Sequence, residues 1–258
     1  MSFVLCDIKD SVATIILNRP EKFNAFNRAM ALQLQQVLDD CSLKKEVRAI
    51  YLTGHGKAFC AGQDLGELVG KDAPGFDQIL SQHYNPIVKR IRSINKPIVC
   101  AVNGVAAGAG ANIALCCDVV VAAQSAFFIQ AFSKIGLIPD SGGTFTLPRL
   151  IGWQKASAIM MLGDKVSALE AERIGMIYKV IPDESFTEES KQLAAVLAGM
   201  PTVGLANTKK ALNESFANTF EQQLQTEDRL QYESAHTYDY NEGIQAFLEK
   251  RTPVFKGI

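Results

Sequence analysis

The sequence lacks both an excess of one charge and long apolar runs. Its 26 basic and 27 acidic side chains leave a formal net charge of −1. Such a balance does not provide the positive surface that binding to nucleic acid or an anionic membrane requires. No apolar run approaches the roughly 20 residues of a membrane-spanning helix, and residues 1–10 lack the order of basic, apolar and small residues that marks a signal peptide. We therefore expect a soluble, cytoplasmic protein without nucleic-acid or membrane partners.

The six cysteines form no Cys-x-x-Cys pair and show no spacing typical of a metal site. In a chain of this length without a signal peptide, reduced and mostly buried thiols are expected. Cys60 is the one candidate nucleophile, but no histidine stands next to it in the sequence. A buried structural thiol is the better interpretation of Cys60, and no metal site is predicted.

Strand and helix patterns alternate along the first two thirds of the chain. With 48% hydrophobic residues the chain can bury a substantial core. Uninterrupted apolar strands that alternate with helices predict a mostly parallel sheet with helices on its faces. Residues 188–248 have a helical pattern, so we expect a single α/β core followed by a C-terminal helical extension. The predicted strands cover residues 11–17, 47–53, 98–102, 119–123 and 177–181.

A run of small residues at 104–111 lies between a buried strand and a helix. Backbone amides at such a place are free to face a negative charge, and glycine and alanine let a ligand approach them closely. Tight packing of the helix against the sheet explains the run equally well. A dinucleotide fingerprint is disfavoured because its third glycine position holds Ile113.

Two further loops could carry chemistry. Residues 58–65 follow a strand and precede a helix, as an ordinary loop or as a second source of backbone donors. Asp140 lies between apolar residues and a Gly-Gly turn, so it is either a helix N-cap or a general acid/base whose pKa is raised by apolar surroundings. Ser141 lacks the Gly-x-Ser-x-Gly elbow of a serine hydrolase.

Taken in order, these segments resemble the crotonase (enoyl-CoA hydratase/isomerase) superfamily over almost the whole chain. The resemblance implies a crotonase-like ββα spiral core over residues 1–200 and a C-terminal helical trimerisation region over residues 201–258. It also implies an acyl-CoA substrate, no cofactor beyond coenzyme A as the thioester carrier, and a homotrimer or homohexamer. The matching segments are Asn18-Arg19-Pro20, Asn24-Ala25, residues 59–64, residues 97–104, Asp118 and Gly142-Gly143-Thr144.

The resemblance assigns roles to individual positions. The backbone amides of Gln63 and Ala109 would form an oxyanion hole for the thioester carbonyl, and Asp140 would be the catalytic acid/base. The two glutamates of family hydratases are replaced by Asn112 and Phe132, which would line the acyl pocket instead. Contacts with CoA are expected from Lys22, Ala25, Ala61, Asp64, Leu65 and Lys250.

Missing both hydratase glutamates, the chain is similar to the isomerases of the superfamily. With the C-terminal segment 239–251, the resemblance implies conversion of 2-(1,2-epoxy-1,2-dihydrophenyl)acetyl-CoA to an oxepin in phenylacetate catabolism. An isomerase that shifts β,γ-enoyl to α,β-enoyl thioesters, or an enoyl-CoA hydratase of fatty-acid oxidation, is the alternative. A non-catalytic or RNA-binding member is disfavoured by the near-neutral charge and by Asp140.

Overall fold

A computed structural model describes residues 2–69 and 73–258 of the chain. The strands are β1 (Val4–Lys9), β2 (Val12–Leu17), β3 (Ala49–Gly54), β4 (Ala58–Cys60), β5 (Ile98–Val102), β6 (Val105–Ala107), β7 (Val119–Ala123), β8 (Phe127–Ile129), β9 (Lys165–Ser167) and β10 (Lys179–Ile181). The helices are α1 (Arg28–Leu43), α2 (Phe76–Gln78), α3 (Asn85–Ser93), α4 (Ala109–Leu115), α5 (Gly143–Ile151), α6 (Trp153–Leu162), α7 (Ala168–Arg173), α8 (Phe186–Gly199), α9 (Thr202–Ser215), α10 (Phe220–Ala235) and α11 (Tyr238–Glu249). A π-helical segment, Ile79–Tyr84, joins α2 to α3, and 3₁₀ turns cover Pro20–Lys22, Leu65–Leu68 and Ala131–Ile135.

The larger of two sheets has six strands in the order β1-β2-β3-β5-β7-β10. Only the edge pair β1–β2 is antiparallel, and the other neighbours are parallel. Every residue of the central strand β5 is buried, as expected for a parallel strand covered on both faces. The predicted mostly parallel α/β core is therefore confirmed, and β1 is a strand that the sequence did not predict.

A smaller sheet has the order β4-β6-β8-β9. Each of its first three strands comes directly after a strand of the larger sheet: β4 after β3, β6 after β5 and β8 after β7. A helical segment follows each pair. The chain thus repeats a strand–strand–helix unit, which is the predicted ββα spiral. The strands of the smaller sheet were not predicted, because three residues are too few to show an alternating pattern.

Helices α9, α10 and α11 form the predicted helical extension. Lys209 on α9 is buried, and its Nζ donates to Asp118 Oδ2 (2.8 Å) and to the carbonyl oxygen of Ile91 (2.7 Å). Burial lowers the pKa of Lys209, although the Asp118 carboxylate opposes this effect. The chain end is fastened by Asp239, whose carboxylate accepts from the amides of Lys256 and Gly257. The extension is thus tied to its own core. None of the described helices is both long and apolar enough to cross a membrane.

Candidate active site

The loops singled out in the sequence meet at one edge of the smaller sheet. Strands β4, β6 and β8 run parallel to one another, so their carboxyl ends lie at the same edge. The segments that leave these ends are 61–64, 108–112 and 130–140. Side chains and backbone amides that are far apart in the sequence are brought together in this way, as is common at the carboxyl ends of parallel strands.

The two predicted oxyanion donors lie on touching stretches of backbone. A methyl group added to Gly62 would lie 2.9 Å from the carbonyl oxygen of Ala107 and 3.5 Å from the amide nitrogen of Ala109. Gly62 has a φ of +90°, a conformation that suits glycine. Within the described residues, the amides of Gln63 and Ala109 donate to no protein acceptor. Both are thus available to a ligand.

The side chain of Gln63 is held by a tyrosine that the sequence did not reveal. Tyr84, in the π-helical segment, donates from its hydroxyl to Gln63 Oε1 at 2.7 Å. Gln63 Nε2 also reaches Glu67 Oε2 at 3.3 Å. Burial raises the pKa of Tyr84, and the nearby Asp140 and Glu67 carboxyl groups add to this effect. Tyr84 therefore stays a neutral donor that holds the side chain of Gln63, the residue of one predicted oxyanion amide.

Asp140 is half-buried at the turn before α5. Burial raises its pKa from 3.8 to about 6, although the hydroxyl of Ser141, which donates to Asp140 Oδ1 at 2.8 Å, acts in the opposite direction. The N-cap of α5 is Gly142, and no side chain caps this helix. Asp140 is consequently not the helix cap that the sequence left open as an alternative, and its carboxyl group titrates close to neutral pH.

The two positions that replace the hydratase glutamates differ in their surroundings. Phe132 is buried, and its ring lies against Gly108, where a methyl group would be 3.7 Å from Phe132 Cζ. Asn112 has no exposed surface, accepts from Gln130 and donates to the carbonyl oxygen of Asp140. Phe132 thus lies beside the amide of Ala109, whereas Asn112 supports the turn behind Asp140.

Most of the predicted CoA-binding residues lie on two joined loops. The amide of Ala61 donates to the carbonyl oxygen of Phe23 at 3.0 Å, and the amide of Ala25 donates to the carbonyl oxygen of Lys22 at 3.0 Å. Lys22 and Leu65 are exposed, whereas Ala25 is buried. The two loops therefore form one surface next to Gln63, the residue of one predicted oxyanion amide.

Asp64 has a role within this surface that the sequence did not indicate. Its Oδ2 accepts from Arg19 Nη2 at 3.0 Å, and its Oδ1 accepts from the amide of Gly66 at 3.0 Å. Arg19 also donates to the carbonyl oxygen of Ala25. Burial acts to raise the pKa of Asp64, but the bonds from Arg19 and Gly66 and the guanidinium charge lower it overall. Both carboxylate oxygens are already bonded within the protein.

Lys250 belongs to a different element from these loops. It lies at the C-cap of α11 with a φ of +54°, and its amide donates to the carbonyl oxygens of Ala246 and Phe247. Within residues 2–69 and 73–258, no hydrogen bond joins Lys250 to the Lys22 loop. The contact of Lys250 with CoA stays a prediction.

Cys60 is the buried thiol that the sequence favoured. It has no exposed surface, and burial raises its pKa to about 12. Its sulfur accepts a hydrogen bond from the amide of Gly62 at 3.4 Å. A thiol with so high a pKa is a poor nucleophile near neutral pH.

Comparison with known proteins decides the family. A family model described as enoyl-CoA hydratase/isomerase matches residues 7–258. The chain belongs to the enoyl-CoA hydratase/isomerase family. The predicted crotonase resemblance and the predicted enzyme of CoA-thioester chemistry are thereby confirmed.

Relatives within the enoyl-CoA hydratase/isomerase family include isomerases and hydratases. The chain is 45% identical over 260 residues to 1,2-epoxyphenylacetyl-CoA isomerase of Escherichia coli (strain K12), covering 100% of this chain and 99% of that protein. It is also 45% identical over 251 residues to a Rhodobacter capsulatus protein named "Probable enoyl-CoA hydratase", covering 97% and 96%. The identity to 2,3-dehydroadipyl-CoA hydratase of Escherichia coli is 36%, covering 100% of both chains.

Solved structures of the enoyl-CoA hydratase/isomerase family share this fold. The enoyl-CoA hydratase of Bacillus anthracis superposes with a TM-score of 0.92 at 33% identity, covering 99% of this chain and 100% of that chain. The enoyl-CoA hydratase of Polaromonas sp. JS666 gives a TM-score of 0.90 at 33% identity, covering 98% and 99%. The predicted crotonase-like spiral is confirmed by these structures.

Proposed function

We propose that the chain is an acyl-CoA isomerase in which Asp140 moves a proton along a thioester enolate. The observation that carries the proposal is the pairing of a half-buried Asp140 with Asn112 and Phe132 at the two hydratase positions. Asn112 donates to the carbonyl oxygen of Asp140 and lies one helical turn after Ala109, which supports the proposal that Asp140 and the Ala109 amide share one site. One carboxyl group that can both accept and return a proton suits isomerisation.

The proposed mechanism depends on where negative charge develops on the substrate. Removing a proton next to a thioester carbonyl puts negative charge on its oxygen, and the amides of Gln63 and Ala109 would stabilise that charge. Loss of one such donor typically costs roughly 3 to 4 kcal/mol of transition-state stabilisation. With a pKa raised to about 6, Asp140 is ionised often enough to act as a base. Its conjugate acid is also strong enough to return the proton to another atom.

The proposed substrate is 2-(1,2-epoxy-1,2-dihydrophenyl)acetyl-CoA, an intermediate of phenylacetate catabolism. The full-length similarity to the Escherichia coli epoxyphenylacetyl-CoA isomerase supports this choice. The epoxide and the oxepin are isomers, so no atom is gained or lost, and coenzyme A acts only as the carrier. Phe132 offers an apolar, aromatic surface beside the Ala109 amide where a hydratase would present a charge.

A second candidate function is conversion of β,γ-enoyl to α,β-enoyl thioesters, or hydration of enoyl-CoA. The similarity to the Rhodobacter capsulatus protein and to 2,3-dehydroadipyl-CoA hydratase supports it. Against hydration stands the replacement of both hydratase glutamates. Isomerisation of a linear chain needs only the groups already described at Asp140, Gln63 and Ala109.

The test compares three substrates on the purified protein: the aromatic epoxide thioester, trans-3-hexenoyl-CoA and crotonyl-CoA. We expect the highest kcat/KM with the epoxide, measurable isomerisation of hexenoyl-CoA and poor hydration of crotonyl-CoA. In Asp140→Asn, isomerisation should fall by about 10²- to 10⁴-fold with CoA-thioester binding retained. The matched control is Asp183→Asn, because Asp183 also accepts from a serine hydroxyl but lies on the surface. Full turnover in Asp140→Asn would overturn the assignment.

We also propose where CoA binds, how the subunits assemble and where in the cell the enzyme acts. CoA would lie along the surface formed by Lys22, Ala25, Ala61 and Leu65, with Asp64 holding that surface in place. A homotrimer or homohexamer, assembled through residues 201–258, would bring Lys250 of one subunit towards the CoA of another. We place the enzyme in the cytoplasm, since acyl-CoA thioesters are its proposed substrates.

A further inference from the structure

Two buried amide side chains form a chain of hydrogen bonds that ends at the Asp140 backbone. Gln130 Nε2 donates to Asn112 Oδ1 at 2.7 Å, and Asn112 Nδ2 donates to the carbonyl oxygen of Asp140 at 2.9 Å. Neither Asn112 nor Gln130 has any exposed surface. Because water does not reach these bonds, it cannot replace them when one partner is removed.

The turn that carries Asp140 depends on such support. Its carbonyl oxygen also accepts from the amide of Gly143 at 2.8 Å. Ser141 and Gly142, which lie between Asp140 and Gly143, have φ values of +52° and +76°. A serine in the left-handed region is strained and keeps that conformation only where its surroundings hold it. Gly143 lets the side chain of Asn112 approach the turn closely, because a methyl group at residue 143 would overlap the side-chain amide of Asn112.

The chemistry of the pair does not suit a purely structural role. Within the described part of the chain, Gln130 Oε1 is buried without a hydrogen-bond partner. A buried amide with one unsatisfied atom destabilises a fold relative to an apolar side chain of similar shape. An apolar pair would fill this space at lower cost but would leave the Asp140 carbonyl without its side-chain donor.

A carboxylate at residue 112 would not serve this turn either. When ionised it could accept from Gln130 but could not donate to the carbonyl oxygen of Asp140. It would also place a second negative charge close to Asp140 and oppose the ionisation of that carboxyl group. The amide at residue 112 and the acid at residue 140 are therefore chemically matched.

We infer that Asn112 and Gln130 are positioning residues, which hold the Asp140 turn so that its carboxyl group points to the acyl chain. This inference rests on the proposed function, since it assumes that Asp140 transfers the proton. Both amide side chains are fully buried, and Asn112 contacts the Asp140 backbone directly. Their effect is exerted through the carbonyl oxygen of Asp140.

The experiment compares Asn112→Leu with the double variant Asn112→Leu/Gln130→Met. The single change leaves Gln130 Nε2 without an acceptor, so we expect a lower thermal midpoint and a kcat for trans-3-hexenoyl-CoA reduced by about 10- to 100-fold. The double change replaces both amides with apolar side chains of similar shape, so the thermal midpoint should recover. We expect kcat to stay as low as in the single variant, with KM and the Kd of butyryl-CoA unchanged.

The possible outcomes distinguish an effect on the position of Asp140 from an effect on the stability of the fold. Recovery of wild-type kcat together with the thermal midpoint in the double variant would overturn the inference, and so would a loss that appears in the Kd of butyryl-CoA instead of in kcat. Asp140→Asn is measured in parallel. If it keeps full turnover, the proposed function fails; if it is inactive while the double variant is fully active, only the positioning role fails.

A second variant decides the question if the double variant does not fold. Gln130→Glu keeps the size of the side chain, but an ionised glutamate cannot donate to Asn112 Oδ1. The Asn112 amide would turn its Nδ2 towards the carboxylate and lose its bond to Asp140. We expect a kcat that falls as pH rises and the introduced carboxyl group ionises, against the trend of the wild type. The pH dependence of the free energy of unfolding shows where the introduced carboxyl group ionises. A wild-type pH profile of kcat in Gln130→Glu across that pH range would overturn the inference.

Discussion

The hydroxyl group of Tyr84 donates a 2.7 Å hydrogen bond to Oε1 of Gln63, the residue whose backbone amide we propose as one of the two oxyanion donors. Tyr84 is almost fully buried, and its ring packs edge-on against Phe26 with the centroids 5.9 Å apart. The tyrosine therefore fixes the direction of Gln63 from a rigid position.

Tyr84→Phe is expected to lower kcat by about tenfold without changing KM, because the Gln63 amide loses its support while the donor itself remains. Steady-state kinetics with trans-3-hexenoyl-CoA measures this. Tyr51→Phe is the matched control, since Tyr51, on β3 of the larger sheet, is also buried and its hydroxyl lies 2.9 Å from Ser190 Oγ on α8. Equal losses in the two variants would show that only general stability is affected.

The pH dependence of isomerisation should report the Asp140 carboxyl group. Burial raises its pKa to about 6, and the ionised form is the one that removes a proton. We expect kcat/KM to rise with pH through a midpoint near that value and to level off above it. A midpoint near the ordinary aspartate pKa, or the same midpoint in Asp140→Asn, would assign the titration to another group.

The same ionisation should make the wild type less stable at neutral pH. The folded-state pKa lies above the unfolded value, so the folded protein binds more protons between pH 3.8 and about 6, and stability falls as pH rises through that window. Asp140→Asn removes this cost. We expect its free energy of unfolding at pH 7.5 to exceed that of the wild type by up to about 3 kcal/mol, from the shift of pKa from 3.8 to about 6. Denaturant unfolding at pH 3 and pH 7.5 measures this; a gain equal at both pH values would contradict it.

Asp64→Asn should act first on stability. Its carboxylate bonds to Arg19 and to the amide of Gly66, and hydrogen bonds to a charged group are worth about 1.5 to 3 kcal/mol. We expect a loss of that size in the free energy of unfolding, with a smaller effect on the Kd of CoA. Lys22→Ala, on the same surface but exposed, is expected to weaken CoA binding without loss of stability. Asp64→Asn with normal stability and weak CoA binding would instead make Asp64 a direct ligand contact.

The C-terminal helices should mediate assembly. Phe247 on α11 is 83% exposed and Leu248 is 69% exposed, an arrangement that favours burial against another protein surface. Light scattering should give the mass of a trimer or hexamer for the wild type and a smaller mass for Phe247→Asp/Leu248→Asp. Leu43→Asp is the control, because Leu43 is exposed to a similar degree at the end of α1. A monomeric wild type at micromolar concentration would contradict the prediction.

Sequence patterns predicted the parts of this molecule that depend on neighbouring residues. The apolar strand 98–102 coincides with β5, and the strand at 119–123 coincides with β7. The small-residue run at 104–111 was placed at the start of a helix, as found at Ala109. Each of these features is a continuous stretch whose burial is visible in its own composition.

The contacts that shape the site could not be read in the same way. Tyr84 lies 21 residues from Gln63, and Asp64 lies 45 residues from Arg19. Such pairs depend on how the spiral stacks its turns, which no local pattern encodes. Gln130 is a polar residue among apolar neighbours, but its pairing with Asn112, 18 residues away, was visible only after folding.

The arrangement of β4, β6 and β8 has a consequence for how new activities can arise on this scaffold. Each of these strands leads into its own loop at a common edge of the smaller sheet. Residue 112 comes with one turn of the spiral, and residues 132 and 140 come with the next. Chemistry can therefore be exchanged one loop at a time, provided that the amide or acid introduced on one turn matches its partner on the following turn. In this fold, catalytic residues can thus change on one loop at a time, but two residues that contact each other across neighbouring turns must change together.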